Sequence, residues 1–319
     1  MTPATDIIRT MGPAPWRPGY FRRIRIYLNE MYPLPKRVLF SALAYVSLAA
    51  LLRRVNRVDA PLSLLVSFIG IWSFFAVMLI LRLMDELKDK EIDSRLFPYR
   101  PLPSGRILES DIVFSMAAVI IFYLAANLWA GPAFWMALVV LGYCLIMFKH
   151  FFIPHILRRS LLLTLATHNP VVPLLLSYAL TLFAIGNQLP LADLNWPSSV
   201  FVVVMDWAPV FAWEIARKIR SRDEETEYVT YSQIFGRVGS VLIAGGAQTV
   251  TFFIGLYFAW TLSLSLAFIT LWCAGYLIPI WAYARFIQNP TPATSKLGPY
   301  AEAYLLIVLA VQIIGALSN

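Results

Sequence analysis

The chain has 319 residues, of which 59% are hydrophobic and 14% are charged, with a formal net charge of +8. Soluble domains carry about 25% charged residues, so a water-soluble globule is excluded. The apolar residues fall in nine blocks of roughly bilayer length, at 37–52, 60–84, 110–130, 132–148, 160–184, 197–216, 238–260, 262–284 and 300–317, which predicts an all-α membrane protein with nine spans.

The positive charge does not point to nucleic acid. With the N-terminus inside and spans alternating, 23 of the 26 Lys and Arg fall on one side. That is the positive-inside pattern of a multi-pass protein, and it places the N-terminus and the acidic loops in the cytoplasm. The expected location is the cytoplasmic membrane of a bacterium. Arg53, Arg54 and Arg57 break the pattern, and the sequence offers no reason for them. Cys144 and Cys273 lie within apolar blocks and read as buried thiols.

Residues 1–36 form a tail without the apolar core of a signal peptide, and 37–319 form the membrane domain. Tyr20, Ile24, Tyr27, Leu28 and Met31 make an apolar stripe opposed by Arg22, Arg23 and Arg25. The spacing predicts a helix lying on the membrane surface as an anchor.

The second apolar block runs into MDELKDKEIDSRLFPYRPLPSGR at 84–106. If its helix continues, Glu86, Asp89 and Asp93 share one face at i, i+3 and i+7. Three stacked carboxylates are tolerable in open water or around a cation. Oxygen ligands without His or Cys suggest a hard ion, foremost Mg²⁺, which keeps coordination positions for substrate phosphate. A carboxylate-held Mg²⁺ at the edge of an apolar protein points to a lipid diphosphate.

This segment resembles the first aspartate-rich motif of the UbiA superfamily of intramembrane prenyltransferases, N-D-x-x-D-x-x-x-D followed by R-P-L-P-S-G. Asp85 stands at the Asn position and Glu86 at the first Asp, Asp89 and Asp93 match directly, and RPLPSG starts at Arg100. The resemblance implies nine helices around a central cavity. It also implies that Asp85, Glu86, Asp89 and Asp93 belong to a Mg²⁺ site, with Arg100 and Lys149 as candidate contacts to the diphosphate. For Lys149 the plain alternative is a side chain reaching out of the membrane edge.

His168 and Asn169 precede Pro170 in the fifth block, where a kink beside a cavity is expected and His168 reads as a packed or cavity-lining group. Asp206 lies within the sixth block, eight residues before Glu214 and so about 12 Å deeper on nearly the same face. An acid inside a membrane helix is a functional candidate, here for turnover, and equally a hydrogen-bonded group that locks helix packing.

A second acidic region holds Glu214, Asp223, Glu224, Glu225 and Glu227. The resemblance implies a second metal ligand set here, with acids at +7 and +11 from its first. Glu214 and Glu225 match, but Ser221 takes the +7 position, and Arg217, Lys218, Arg220 and Arg222 crowd the interval. Either Asp223 replaces the missing ligand, or Arg217 and Lys218 contact the diphosphate in place of a second metal. A solvated charge run is the remaining reading of the acids beyond Asp223. The stretch 230–236 loosely resembles the loop that follows this motif.

The resemblance implies Mg²⁺-dependent transfer of a prenyl group from a prenyl diphosphate, through an allylic cation, to an unidentified and conceivably aromatic acceptor. A terpene cyclase of the same type is the enzymatic alternative. A divalent-cation permease is the non-enzyme alternative. It is disfavoured because the acids cluster at the membrane edge and no internal repeat is visible.

Overall fold

The computed structural model describes residues 18–61, 63–157, 159–226 and 229–317. A surface helix, α1 (Tyr20–Met31), precedes the membrane helices α2 (Leu34–Val55) and α3 (Leu64–Lys88). A short α4 (Lys90–Leu96) follows, then α5 (Glu109–Asn127) and α6 (Ala133–Phe148). The turn α7 (Pro154–Leu157) leads into α8 (Leu161–His168) and α9 (Val171–Gly186). The chain ends with α10 (Trp196–Ala216), α11 (Tyr231–Thr261), α12 (Leu266–Gln288) and α13 (Gly298–Leu317).

Eight helices of the described residues are long and apolar enough to cross a membrane, counting α8 and α9 as one passage. The apolar α6, with 16 residues, is shorter, and with it the count agrees with the nine blocks of the sequence. The expected break falls at Asn169–Pro170, since proline cannot donate to the previous turn.

Consecutive apolar helices pack side by side, and α13 returns to α2, so the helices close a ring. Contacts of α10 with α2 and α13, and of α9 with α2 and α3, fill part of its middle. Some approaches are close enough to need glycine. A Cβ on Gly70 would lie 2.1 Å from the Tyr45 ring, and one on Gly255 would lie 2.1 Å from the Trp272 ring.

Polar groups inside the ring pair with one another. Tyr178 donates to Asn127 at 2.6 Å, Asn127 donates to Ser73 at 3.0 Å, and Ser73 lies 2.9 Å from the Tyr178 hydroxyl. This triangle joins α3, α5 and α9 where no water can satisfy them. The outlying arginines also gain a partial account. Arg53 donates from Nε to the Val58 carbonyl at 2.9 Å and from Nη2 to the Asp59 carbonyl at 2.7 Å, closing the loop that leaves α2.

Candidate functional site

The first acidic motif does not continue α3 as one helix. The helix ends at Lys88, Asp89 has φ −97° and ψ 7°, and α4 restarts at Lys90. The kink falls within the acid cluster, whose members still feel one another's charges.

Glu86 and Asp93 turn towards α1 and the RPLPSG loop. Glu86 is 2% exposed and is ion-paired with Arg82 one turn earlier. Asp93 accepts from Arg100 Nη1 at 2.6 Å, and the Arg100 guanidinium stacks 4.0 Å over Phe97. Tyr27, fully buried, comes from α1 into the same pocket. Three buried polar atoms in this pocket have no hydrogen-bond partner: Tyr27 OH, Arg82 Nε and Glu86 Oε2.

Asp89 feels the charges of Asp85, Lys88, Asp93 and Arg82, and the Asp85 charge also reaches His168 on α8. Asp85 pairs with Lys88 at 3.1 Å. The half-buried Asp89 is held above the ordinary carboxylate range by burial first and by the Asp85 charge next. His168, at the end of α8, lies within electrostatic reach of Lys88, Asp85 and His150. It bonds Thr167 Oγ1 at 3.1 Å and meets the Phe151 ring edge-on at 5.9 Å.

Beside this acid pair, a cleft of about 320 Å³ is lined by Leu87, Lys88, Lys90, Glu91, Phe148, Lys149 and His150. Its wall is strained. His150, Phe151 and Phe152 have φ of 50°, 51° and 59°, and the left-handed region costs roughly 1–2 kcal/mol per non-glycine residue. A second cleft, of about 340 Å³ and mainly apolar, opens at the α8–α9 break. Leu162, Leu165, Pro170, Pro173, Trp207 and Phe211 line it, and Trp207 Nε1 donates across it to Asn169 Oδ1 at 2.6 Å.

The second acidic region is built differently. Arg217 donates from Nε to Glu214 Oε2 at 2.6 Å, and Lys218 Nζ reaches Oε1 at 2.9 Å, as their i+3 and i+4 spacing requires. Asp223 is exposed on a 3₁₀ turn. Ser221 is 1% exposed and donates to Glu224 at 2.9 Å, and Ser295 donates to the same carboxylate oxygen. The serine at the ligand position therefore ties the loop to the start of α13. Thr230 caps α11 in a box with Gln233, which accounts for the polar start of the 230–236 stretch. Glu227 lies outside the described residues.

Asp206 is 3% exposed and accepts from Gln312 Nε2 at 2.6 Å. This contact ties α10 to α13, while Asp206 Oδ2 is buried without a partner among the described residues.

Among the described residues, no group of three or more His, Cys, Asp or Glu stands close enough together to hold a metal ion. The pair Asp85 and Asp89 still fits a hard divalent ion. Its donors are all oxygen, its two charges repel in a half-buried place, and Mg²⁺ is commonly held by one or two carboxylates with phosphate and water. Sequence reasoning overlooked Tyr27 and Arg82 at the site. Arg82 is signalled by its i,i+4 spacing to Glu86, whereas nothing local distinguishes Tyr27 from its apolar stripe.

No family model matches the sequence, and no curated protein matches it significantly. Two solved structures share its architecture. The structure of a UbiA homolog from Aeropyrum pernix K1 is 16% identical, with a TM-score of 0.64 over 88% of this chain and 97% of that one. A structure described for digeranylgeranylglyceryl phosphate synthase in membranes is 17% identical, with a TM-score of 0.61 over 93% of this chain and 100% of that one. At these identities the likeness speaks to architecture, and on that ground the chain has the UbiA fold, an all-α ring of membrane helices.

Proposed function

We propose that the protein is a Mg²⁺-dependent intramembrane prenyltransferase, acting on a prenyl diphosphate and a lipophilic acceptor. The observation that carries this reading is the cleft lined by Lys88, Lys90, Glu91, Lys149 and His150, whose Lys88 pairs with Asp85, at one end of a ring of apolar helices. The UbiA homolog and the digeranylgeranylglyceryl phosphate synthase share that ring.

In this reading Asp85 and Asp89 hold the divalent ion, and Glu86, Asp93, Glu214 and Asp223 stand as further candidate ligands. When bound, the ion supplies Lewis-acid neutralisation of the diphosphate. Lys149 and Lys88 contact the diphosphate oxygens from the cleft, and Arg100, Arg217 and Lys218 reinforce the positive field while balancing their own carboxylates. The allylic C–O bond breaks with its electron pair leaving on the diphosphate. The apolar cleft at the α8–α9 break keeps water from the cation until the acceptor attacks and gives up a proton.

The test is incubation of purified protein with farnesyl or geranylgeranyl diphosphate and Mg²⁺, with and without candidate acceptors. Intact substrate without acceptor and prenylated product with one are expected. A cyclic hydrocarbon or alcohol formed without acceptor would move the assignment to a cyclase. Absence of diphosphate binding under all conditions would end the proposal.

A further inference from the structure

Helix α1 reads in sequence as a surface anchor, yet its one fully buried side chain lies inside the first acidic motif. We propose that Tyr27 is a positioning residue of the diphosphate site, and that the site binds its anion fully only with α1 docked. This rests on the function proposed above.

The argument begins with unpaired atoms. Eight buried side-chain N or O atoms lack a partner among the described residues, and Tyr27 OH, Arg82 Nε and Glu86 Oε2 are three of them. They are chemically complementary. A phenol hydroxyl accepts from the guanidinium N–H and donates to the carboxylate. A tyrosine hydroxyl keeps its proton at neutral pH and so remains a donor. A small shift of one side chain closes a chain from Arg82 through Tyr27 to Glu86, in addition to the direct Arg82–Glu86 pair. Buried polar groups left unbonded are costly, which favours the closed arrangement.

Arg82 then carries the effect to the site. Its side chain remains 29% exposed, so part of the guanidinium is free to meet an anion. Its charge also reaches Asp89, the half-buried acid on the other side of the kink. Fixing Arg82 by two neighbours aims that charge, whereas an arginine held by one carboxylate pivots about it.

The docking of α1 is built to last. Arg23 grips both oxygens of Asp111 on α5, at 2.6 and 2.7 Å. Tyr20 meets Ser115 at 2.9 Å, Tyr32 donates to the Phe75 carbonyl at 3.2 Å, and Arg106 donates to Glu30 at 2.9 Å. The last of these ties α1 to the end of the RPLPSG loop.

The experiment measures binding of farnesyl thiodiphosphate in Mg²⁺, and the melting temperature, for four proteins. Tyr27→Phe removes only the bridging hydroxyl and should weaken binding on the order of tenfold. Tyr123→Phe removes a buried hydroxyl that joins α5 to α6 at 3.0 Å and takes no part in docking α1, and should bind as wild type. Asp111→Asn loosens α1 without touching the three atoms, and should weaken binding with Tyr27→Phe. Wild-type affinity in Tyr27→Phe, an equal loss in Tyr123→Phe, or undiminished binding in Asp111→Asn would each overturn the proposal. If Tyr27→Phe does not fold, the Asp111→Asn result decides. A wild-type protein that binds no thiodiphosphate would instead overturn the assigned function, and this inference with it.

Discussion

Asp89 shows how a site residue costs stability. Its carboxyl is held above the ordinary range by burial and by Asp85, so the folded chain holds that proton more tightly than the unfolded chain does. The associated stability is fully present below the unfolded pKa and is lost as pH rises through the folded one. Asp89→Asn should therefore raise the melting temperature at neutral pH, with the gain shrinking as pH falls into the carboxylate range. Turnover should fall by roughly two orders of magnitude. Thermal scans across pH, paired with product assays, check both. Asp206 should behave oppositely. Its substitution by Asn preserves a hydrogen bond with Gln312, so fold and turnover should stay near wild type. Gln312→Leu strands the acid and should cost about 1–3 kcal/mol. Loss of turnover in well-folded Asp206→Asn would return this residue to the reaction. The identity of the acids was legible in the sequence, but their pairing was not. The spacing of Glu86, Asp89 and Asp93 presumes a straight helix, and the break at Asp89 interrupts it, while Asp93 still pairs with Arg100 and Glu86 with Arg82.

At the level of elements, breaks and loops decide what the helices present. The α8–α9 break was readable from Pro170, because a missing N–H acts locally. The loop between α10 and α11 was not readable in the same way. Ser221 looks like a lost ligand until Ser295, 74 positions later, is seen on the same carboxylate of Glu224. Partial burial opposes the ionisation of Glu224, but hydrogen bonds from Ser295 and Ser221 outweigh it and hold its pKa down. Its contribution is present above the unfolded pKa and is lost as pH falls through the folded one. Acidification below the carboxylate range should thus expose the 220–226 segment to proteolysis. Glu224→Gln should show similar susceptibility already at neutral pH. Equal resistance of the two proteins at pH 7 would remove this latch.

On the scale of the whole molecule, ring closure and charge asymmetry act together. Three passages separate Ser104 from Ala192, and both residues are exposed. In a chain with Cys144 and Cys273 replaced by Ala, Ser104→Cys should react with an impermeant thiol reagent only from the cytoplasmic side. Ala192→Cys should react only from the opposite side. Labelling of both from one side would break the assigned topology.

Hydropathy by itself determined that the chain is an all-α multi-pass membrane protein, because a helix in hydrocarbon must satisfy its own backbone within about 20 apolar residues. Local spacing likewise determined the pairs Glu214 with Arg217 and Lys218, which are neighbours on one helix. Only the tertiary structure decided which acids face which cations, that Tyr27 enters the first motif, and that Ser221 serves a loop. Those outcomes depend on side chains brought together from distant helices, and no local period encodes that distance.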